Sequence, residues 1–339
     1  MKKILGLVLF CYTSFFLGTV ANAANPTTLM YVANEDDHNV MVVNLDTEDI
    51  IAEIPTGDAP HAIVFAGGKA YVNNRKSNHL TVIDSETMEL LDDIQLKAIS
   101  FQLSLSPDGD TLAVSYKNAL MVSLIDVRSD EKFDIEIGAT PTEGFFEKPM
   151  KHPFWSKGGG YLYVQNNIDD LLVKIDTDTY KIVAEIDMLG RSNHDLVSSA
   201  NGKILYAVNQ DNRLDPDSES DPDFVPVTSF SVIDTEFDVV IQDIVIPLLP
   251  GEKPFGHHGD LTPDGKTFYF CNEGGHSVTL IDTVNMSVIK SLEVGNGAGH
   301  PVFSRNNQKV FIIPHKDNMV SVIDVASQEV IAHIEAGEG

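Results

Sequence analysis

Cysteine is nearly absent from this chain of 339 residues: Cys11 sits in a leading apolar stretch and Cys271 far downstream. With so little thiol the folded chain has no intramolecular disulfide once that leading stretch is removed. Cys271 falls inside the apolar run Thr267 to Cys271, which reads as a buried structural thiol rather than a ligand. No C-x-x-C-H occurs, so a covalently attached c-type haem is excluded. Positive charge is also scarce, with 23 Lys and Arg against 50 Asp and Glu. Such an acidic chain repels nucleic-acid phosphates and anionic lipid headgroups, which argues against both as partners. Acidity of this kind keeps an exported protein soluble, and it is compatible with a cationic partner or a metal ion. A Gly-x-Ser-x-Gly elbow and a phosphate-cradling glycine loop are both missing, so nucleophilic hydrolysis and phosphate binding find no support.

The leading stretch runs from Ile4 to about Val20 behind Lys2 and Lys3, and it ends in Ala21-Asn22-Ala23. This pattern predicts a signal peptide over residues 1–23, cleaved after Ala23. Thr13, Ser14 and Gly18 dilute the stretch, which makes it a poor transmembrane helix. Bulky Phe10 before Cys11 argues against a lipoprotein site. The remainder, 24–339, is expected to be one domain, periplasmic or secreted, monomeric, and without membrane insertion. It carries 21 basic against 50 acidic side chains, a formal charge of −29, because the leader removes two lysines and no acid.

Seven times a short apolar run closes on an aspartate: Asp46, Asp84, Asp126, Asp176, Asp234, Asp282 and Asp324. The copies recur every 38 to 58 residues, with 42 appearing twice. A period of roughly 40–50 residues built from short strands predicts an all-β, seven-bladed β-propeller, one copy per blade. Each repeat reads as four antiparallel strands separated by Gly, Asn, Asp and Pro. Ser106-Pro107-Asp108-Gly109 and Thr262-Pro263-Asp264-Gly265 are hairpin turns, since proline presets φ and Asp-Gly tolerates positive φ. Thr28 to Pro55 supplies only three strands, so the first blade is three-stranded or is closed by residues 24–27 or the C-terminal tail. The closing aspartates are expected to accept turn N–H bonds. A long insertion, 211–226, places acids at alternate positions; it reads as a solvated acidic lobe, with a calcium loop as the alternative.

Tyr31-Val32-Ala33-Asn34, Tyr71-Val72-Asn73-Asn74 and Tyr163-Val164-Gln165-Asn166 resemble the YVTN repeat, with looser copies at Tyr206 to Asn209 and Tyr269 to Asn272. The chain is thus similar to YVTN-type seven-bladed propellers over nearly all of its mature length. Phe255-Gly256-His257-His258-Gly259-Asp260-Leu261 and Lys151-His152-Pro153-Phe154-Trp155 also resemble segments of the haem-d domain of cytochrome cd-type nitrite reductases. That resemblance implies a propeller face able to hold a non-covalent d-type haem through histidines. The family's cytochrome c domain has no counterpart here, so nitrite reduction is not implied.

Eleven histidines are present and they are not scattered. His61, His152, His194, His257, His258 and His300 fall at or just before the starts of inner strands. His152, His258 and His300 share one register, while His61, His194 and His257 share the preceding one. Blade three carries Phe101-Gln102 there. His38, His79, His276 and His315 fall in loops joining second to third strands, which an antiparallel blade places on the same face. Only His333 is expected elsewhere. Imidazole is the commonest ligand for zinc and copper, and Asp195 and Asp260 are candidate oxygen ligands or orienting partners. The candidate metal site is therefore drawn from His61, His152, His194, His257, His258, His300 and Asp260. Three functions compete: a binding protein for copper or zinc acting in delivery or sensing, a tetrapyrrole carrier or redox protein, and a cofactor-free scaffold for a periplasmic protein partner. A non-catalytic role is favoured.

Overall fold

The computed structural model describes residues 28–139, 150, 152–189, 192–210 and 227–336. The expected signal peptide, Lys151, the acidic loop 211–226 and the last three residues lie outside the described residues. Regular structure among the described residues is strand throughout, arranged as seven antiparallel sheets in chain order. The protein is an all-β, seven-bladed propeller whose blades span 29–55, 60–95, 100–136, 154–187, 193–245, 256–293 and 298–335. The first sheet has three strands and the others four, each strand pairing with the next in sequence.

The chain divides into two compact units, and the division passes through blade four. The C-terminal unit holds blades five to seven together with Gln165–Ile175, and the N-terminal unit holds blades one to three, Phe154–Trp155 and Asp176–Lys181. Within the C-terminal unit the first strands Asn193–Ser198, Gly256–Leu261 and Ala298–Phe303 lie side by side. In the N-terminal unit Pro60–Ala66 lies between Ser100–Leu105 and Leu29–Asn34. Leu29–Asn34 ends on Asn34 as Lys69–Asn74 ends on Asn74, so among the described residues the strand blade one lacks is its first. Its side chains are half-exposed, whereas the second strands of blades two to six are buried along most of their length.

Second and third strands supply the core because both of their faces meet other strands. Tyr71, Tyr116, Phe230, Phe268 and Phe270 are fully buried. Phe230 packs between Tyr206 and Phe268, with ring centroids 5.4 and 4.6 Å away. Burial of each such side chain contributes about 1.5–3 kcal/mol. Cys271 is fully buried as expected, and burial raises its thiol far above the ordinary range.

The closing acids do the turn work expected of them. Asp84 Oδ1 accepts the backbone N–H of Glu86 and Thr87 at 2.9 and 2.7 Å, and Asp126, Asp234, Asp282 and Asp324 repeat the pattern. In blade one the position differs from the sequence reading. Asn44 Oδ1, not the Asp46 carboxylate, accepts the turn N–H groups, those of Asp46 itself and of Thr47. A neutral amide oxygen serves as well, because what the turn needs is an acceptor two residues back. Four residues after each closing residue the chain adopts positive φ, at Glu48, Met88, Asp130, Tyr180, Asp238, Met286 and Gln328. The same turn is therefore made in all seven blades without glycine.

Candidate metal centre in the C-terminal unit

The first strands begin with a bulge, and the bulge builds the site. Gly256 pairs with Asn272, but the next pairing is Gly259 with Phe270, so His257 and His258 occupy a skipped interval of the ladder. Blades two, three, five and seven skip at the same place. In a regular strand neighbouring side chains point to opposite faces, and a bulge relaxes that rule. The rings of His257 and His258 accordingly lie 4.1 Å apart, edge to face.

The ladder also fixes which residues are equivalent. His61, Phe101, His194, His257 and Gly299 share one register, and Ala62, Gln102, Asp195, His258 and His300 share the next. In the C-terminal unit the second register forms a row of interacting groups. Asp195 Oδ2 lies 2.9 Å from His258 Nδ1, and the His258 ring stacks on His300 at 4.1 Å and 20°. His194 joins from the first register, 4.4 Å from the ring of His257 and 4.7 Å from that of His258.

Gly299 breaks the first register with no side chain, and His315 fills the space. A Cβ at Gly299 would sit 2.3 Å from His315 Nε2, so glycine is required for this approach. His315 follows the second strand Lys309–Pro314, and its ring lies 5.4 Å from His300 and 5.1 Å from His257. One ring nitrogen each from His257, His300 and His315 lie within 4.8 Å of one another. Zinc bonded at about 2.0–2.1 Å to three imidazoles in tetrahedral geometry needs nitrogens about 3.4 Å apart. Small ring rotations close that gap.

Glu273 orients two of the three. Its Oε1 lies 3.2 Å from His315 Nδ1 and its Oε2 3.5 Å from His257 Nε2. A carboxylate on one imidazole nitrogen fixes the tautomer and leaves the opposite nitrogen as the lone-pair atom, His315 Nε2 and His257 Nδ1. Burial raises the Glu273 carboxyl, but the His315 hydrogen bond and the positive potential of His257, His315 and Lys316 outweigh it and bring it down to about 2. Burial, then repulsion from His257 and His315, pushes His300 down to about 3. Burial likewise holds His258 well below the usual imidazole range, followed by its neighbours His300 and His315. His258 and His300 are therefore neutral at physiological pH, the state in which imidazole ligates. Burial, with Asp260 nearby, lifts Asp195 to about 7, and burial lifts Asp260 to about 6.

Of the residues singled out in the sequence, the C-terminal unit brings together His194, His257, His258 and His300. Asp260 lies on the same strand, its carboxylate accepting the N–H of Leu261 at 2.7 Å. His61 and His152 belong to the N-terminal unit. There His61 Nδ1 lies 2.5 Å from Glu35 Oε1, and the His152 ring meets Phe101 edge-on at 6.1 Å. His315 was expected on the face but not among the ligands, and Glu273 was not expected at all. A signal for both exists: each is the residue directly after a second strand, a position held elsewhere by Glu35, Arg75, Lys117, Asn167 and Gln210.

No protein-family model matches the chain, and no curated protein matches it. Solved structures match in fold. Hydrazine synthase of Kuenenia stuttgartiensis is 19% identical with a TM-score of 0.64, over 92% of this chain and 99% of that one. A functionally unknown protein from Desulfotomaculum acetoxidans is 14% identical with a TM-score of 0.61, over 92% and 98%. Dihydro-haem d1 dehydrogenase NirN, solved in complex with DHE, is 16% identical with a TM-score of 0.54, over 93% and 75%. The likeness to haem-d1 propellers seen in the sequence thus holds for the fold. Identity this low carries no activity across.

Proposed function

We propose that this protein is an exported propeller that binds one transition-metal ion, zinc or copper, through His257, His300 and His315, for delivery or sensing. The carrying observation is the convergence of three imidazole nitrogens within 4.8 Å, two of the rings braced by the Glu273 carboxylate. An all-imidazole set suits zinc and copper better than magnesium or calcium, which take oxygen ligands. Three ligands leave a coordination position open, as a site that hands on or senses its ion requires. The acidic surface attracts cations toward the protein. Export rests on the Lys2 to Ala23 leader pattern, and no helix among the described residues is long and apolar enough to cross a membrane.

The test is competitive titration of chelator-stripped protein with Zn²⁺ and with Cu²⁺. One equivalent should bind to the wild type, and the double variant His300→Ala/His315→Ala should lose at least about a hundredfold in affinity while keeping its strand signature by circular dichroism. Equal affinity in the double variant ends the reading. A second reading, a bound tetrapyrrole, is favoured by the fold shared with NirN. It requires visible absorption that persists through gel filtration. Colourless, metal-free protein that retains a partner would instead mark a scaffold.

A further inference from the structure

From a pocket that shares a wall with this centre we infer a second ligand, a small organic carboxylate bound beside the ion. The inference deepens the metal reading and rests on it only for the coupling between the two ligands. The pocket holds about 290 Å³ and is lined by Lys253, Pro254, Phe255, Glu273, Gly274 and Lys316. Charge selects the ligand. In a chain of formal charge −27, two of the 23 basic residues line one small open pocket. Lys316 Nζ reaches the Glu273 backbone carbonyl at 3.4 Å, which leaves its charge available to an anion. With Glu273 ionised the three charged groups leave the pocket net positive, so a monoanion is accommodated, and a bound divalent cation next to it favours a dianion. Phe255 and Pro254 add an apolar wall, which suits an organic acid better than a bare inorganic anion.

The pocket is built before any ligand arrives. Lys253 N–H donates to the Gly274 carbonyl at 3.1 Å, Glu273 N–H to the Phe255 carbonyl at 2.9 Å, and Phe255 N–H to Asn272 Oδ1 at 3.1 Å. A Cβ on Gly274 would lie 2.3 Å from the Lys253 carbonyl oxygen, so only glycine lets these two segments close on each other. A preorganised cavity loses little entropy on binding. Glu273 both lines the pocket and braces His257 and His315 through its carboxylate, so the pocket and the metal site share one residue. Each ligand strengthens the other by the same factor, as linkage demands.

Isothermal titration of zinc-loaded and zinc-free protein with malonate, and separately with inorganic phosphate, tests this. Malonate should bind the zinc-loaded form at least about tenfold more tightly than the zinc-free form. Lys253→Gln should cut malonate affinity at least about tenfold with zinc affinity unchanged. Unaltered malonate binding in that variant, or none in either form of the wild type, overturns the inference. Phosphate binding as tight as malonate overturns the organic-acid assignment. Lysine-dependent malonate binding to a protein that takes no zinc would keep the pocket and remove the metal reading instead.

Discussion

In the N-terminal unit the residue after the second strand of blades one and two reaches the first-register residue of the following blade. Glu35 meets His61 with Oε1 and Nδ1 2.5 Å apart, and the Arg75 guanidinium lies 4.9 Å above the Phe101 ring. The same position in the C-terminal unit holds Glu273 and His315, which contact each other at 3.2 Å and close around His257 and His300. The two regions share strand order, bulge and turn, yet they present opposite chemistry. Burial and the Arg75 charge push His61 down to about 4, against the pull of Glu35, and the Arg75 guanidinium, set over the Phe101 ring, repels a metal ion. Burial also lowers Arg75, to about 10, where it still carries its charge at neutral pH. In a repeat fold the scaffold supplies equivalent slots, and a few substitutions in two registers decide whether a cluster of slots becomes a ligand set.

The comparison breaks most sharply at His300. His300→Phe removes one of three ligands and puts a phenyl ring into the second register, where blade three carries Gln102. Zinc affinity should fall at least about a hundredfold, roughly 2.7 kcal/mol, whereas His61→Ala in the other unit should leave it unchanged; a zinc titration of both variants decides.

Asp260 comes next, with an effect on stability. Its folded-state value of about 6 lies above the ordinary 3.8, so the stability it contributes is full below pH 3.8 and is lost as pH rises through 6. Asp260→Asn should therefore stabilise metal-free protein by about 3 kcal/mol at pH 7.5 and by only about 0.5 kcal/mol at pH 4. Urea unfolding at the two pH values measures this, and an equal shift at both would remove burial of the carboxylate as the cause.

A smaller loss is expected from Gly299→Ala, which changes no ligand. The added methyl displaces His315 Nε2 from its place, so zinc affinity should drop about tenfold while the unfolding midpoint hardly moves. A large stability loss with normal zinc affinity would show that His315 accommodates the methyl and that backbone packing does not.

The smallest effect belongs to the turns common to both units. Asp84→Asn should be close to neutral at pH 7, because Asn44 performs the same task in blade one. The turn N–H bonds from Thr87 and Glu86 hold the Asp84 carboxyl below its ordinary value. Its contribution is thus present above pH 3.8 and disappears as the carboxylate protonates. Unfolding curves of Asp84→Asn should accordingly be less acid-sensitive below about pH 4.

The seven-blade period, the three strands that Thr28 to Pro55 supply to the first blade and the two histidine registers were legible in the sequence, since each follows from strand length and turn chemistry repeated along the chain. Asp46 was misread because its run is shifted by two residues and the equivalent closing residue is an amide. Glu273 was missed because a single acid after Tyr-x-x-Asn looks like any solvated loop carboxylate. His61 matched the register of His257, yet periodicity does not say which neighbours a slot will have.

Sequence alone determined the repeat, the acceptor that closes six of the seven blades and the imidazole-rich strand starts, because these depend on contacts between residues close along the chain. Tertiary structure decided which imidazoles meet. That outcome depends on bulges turning consecutive side chains the same way, on the missing side chain at Gly299 admitting His315, and on Glu273 reaching across to the next blade. Those are contacts between residues 15 or more positions apart, set by how neighbouring blades pack and written in no local pattern.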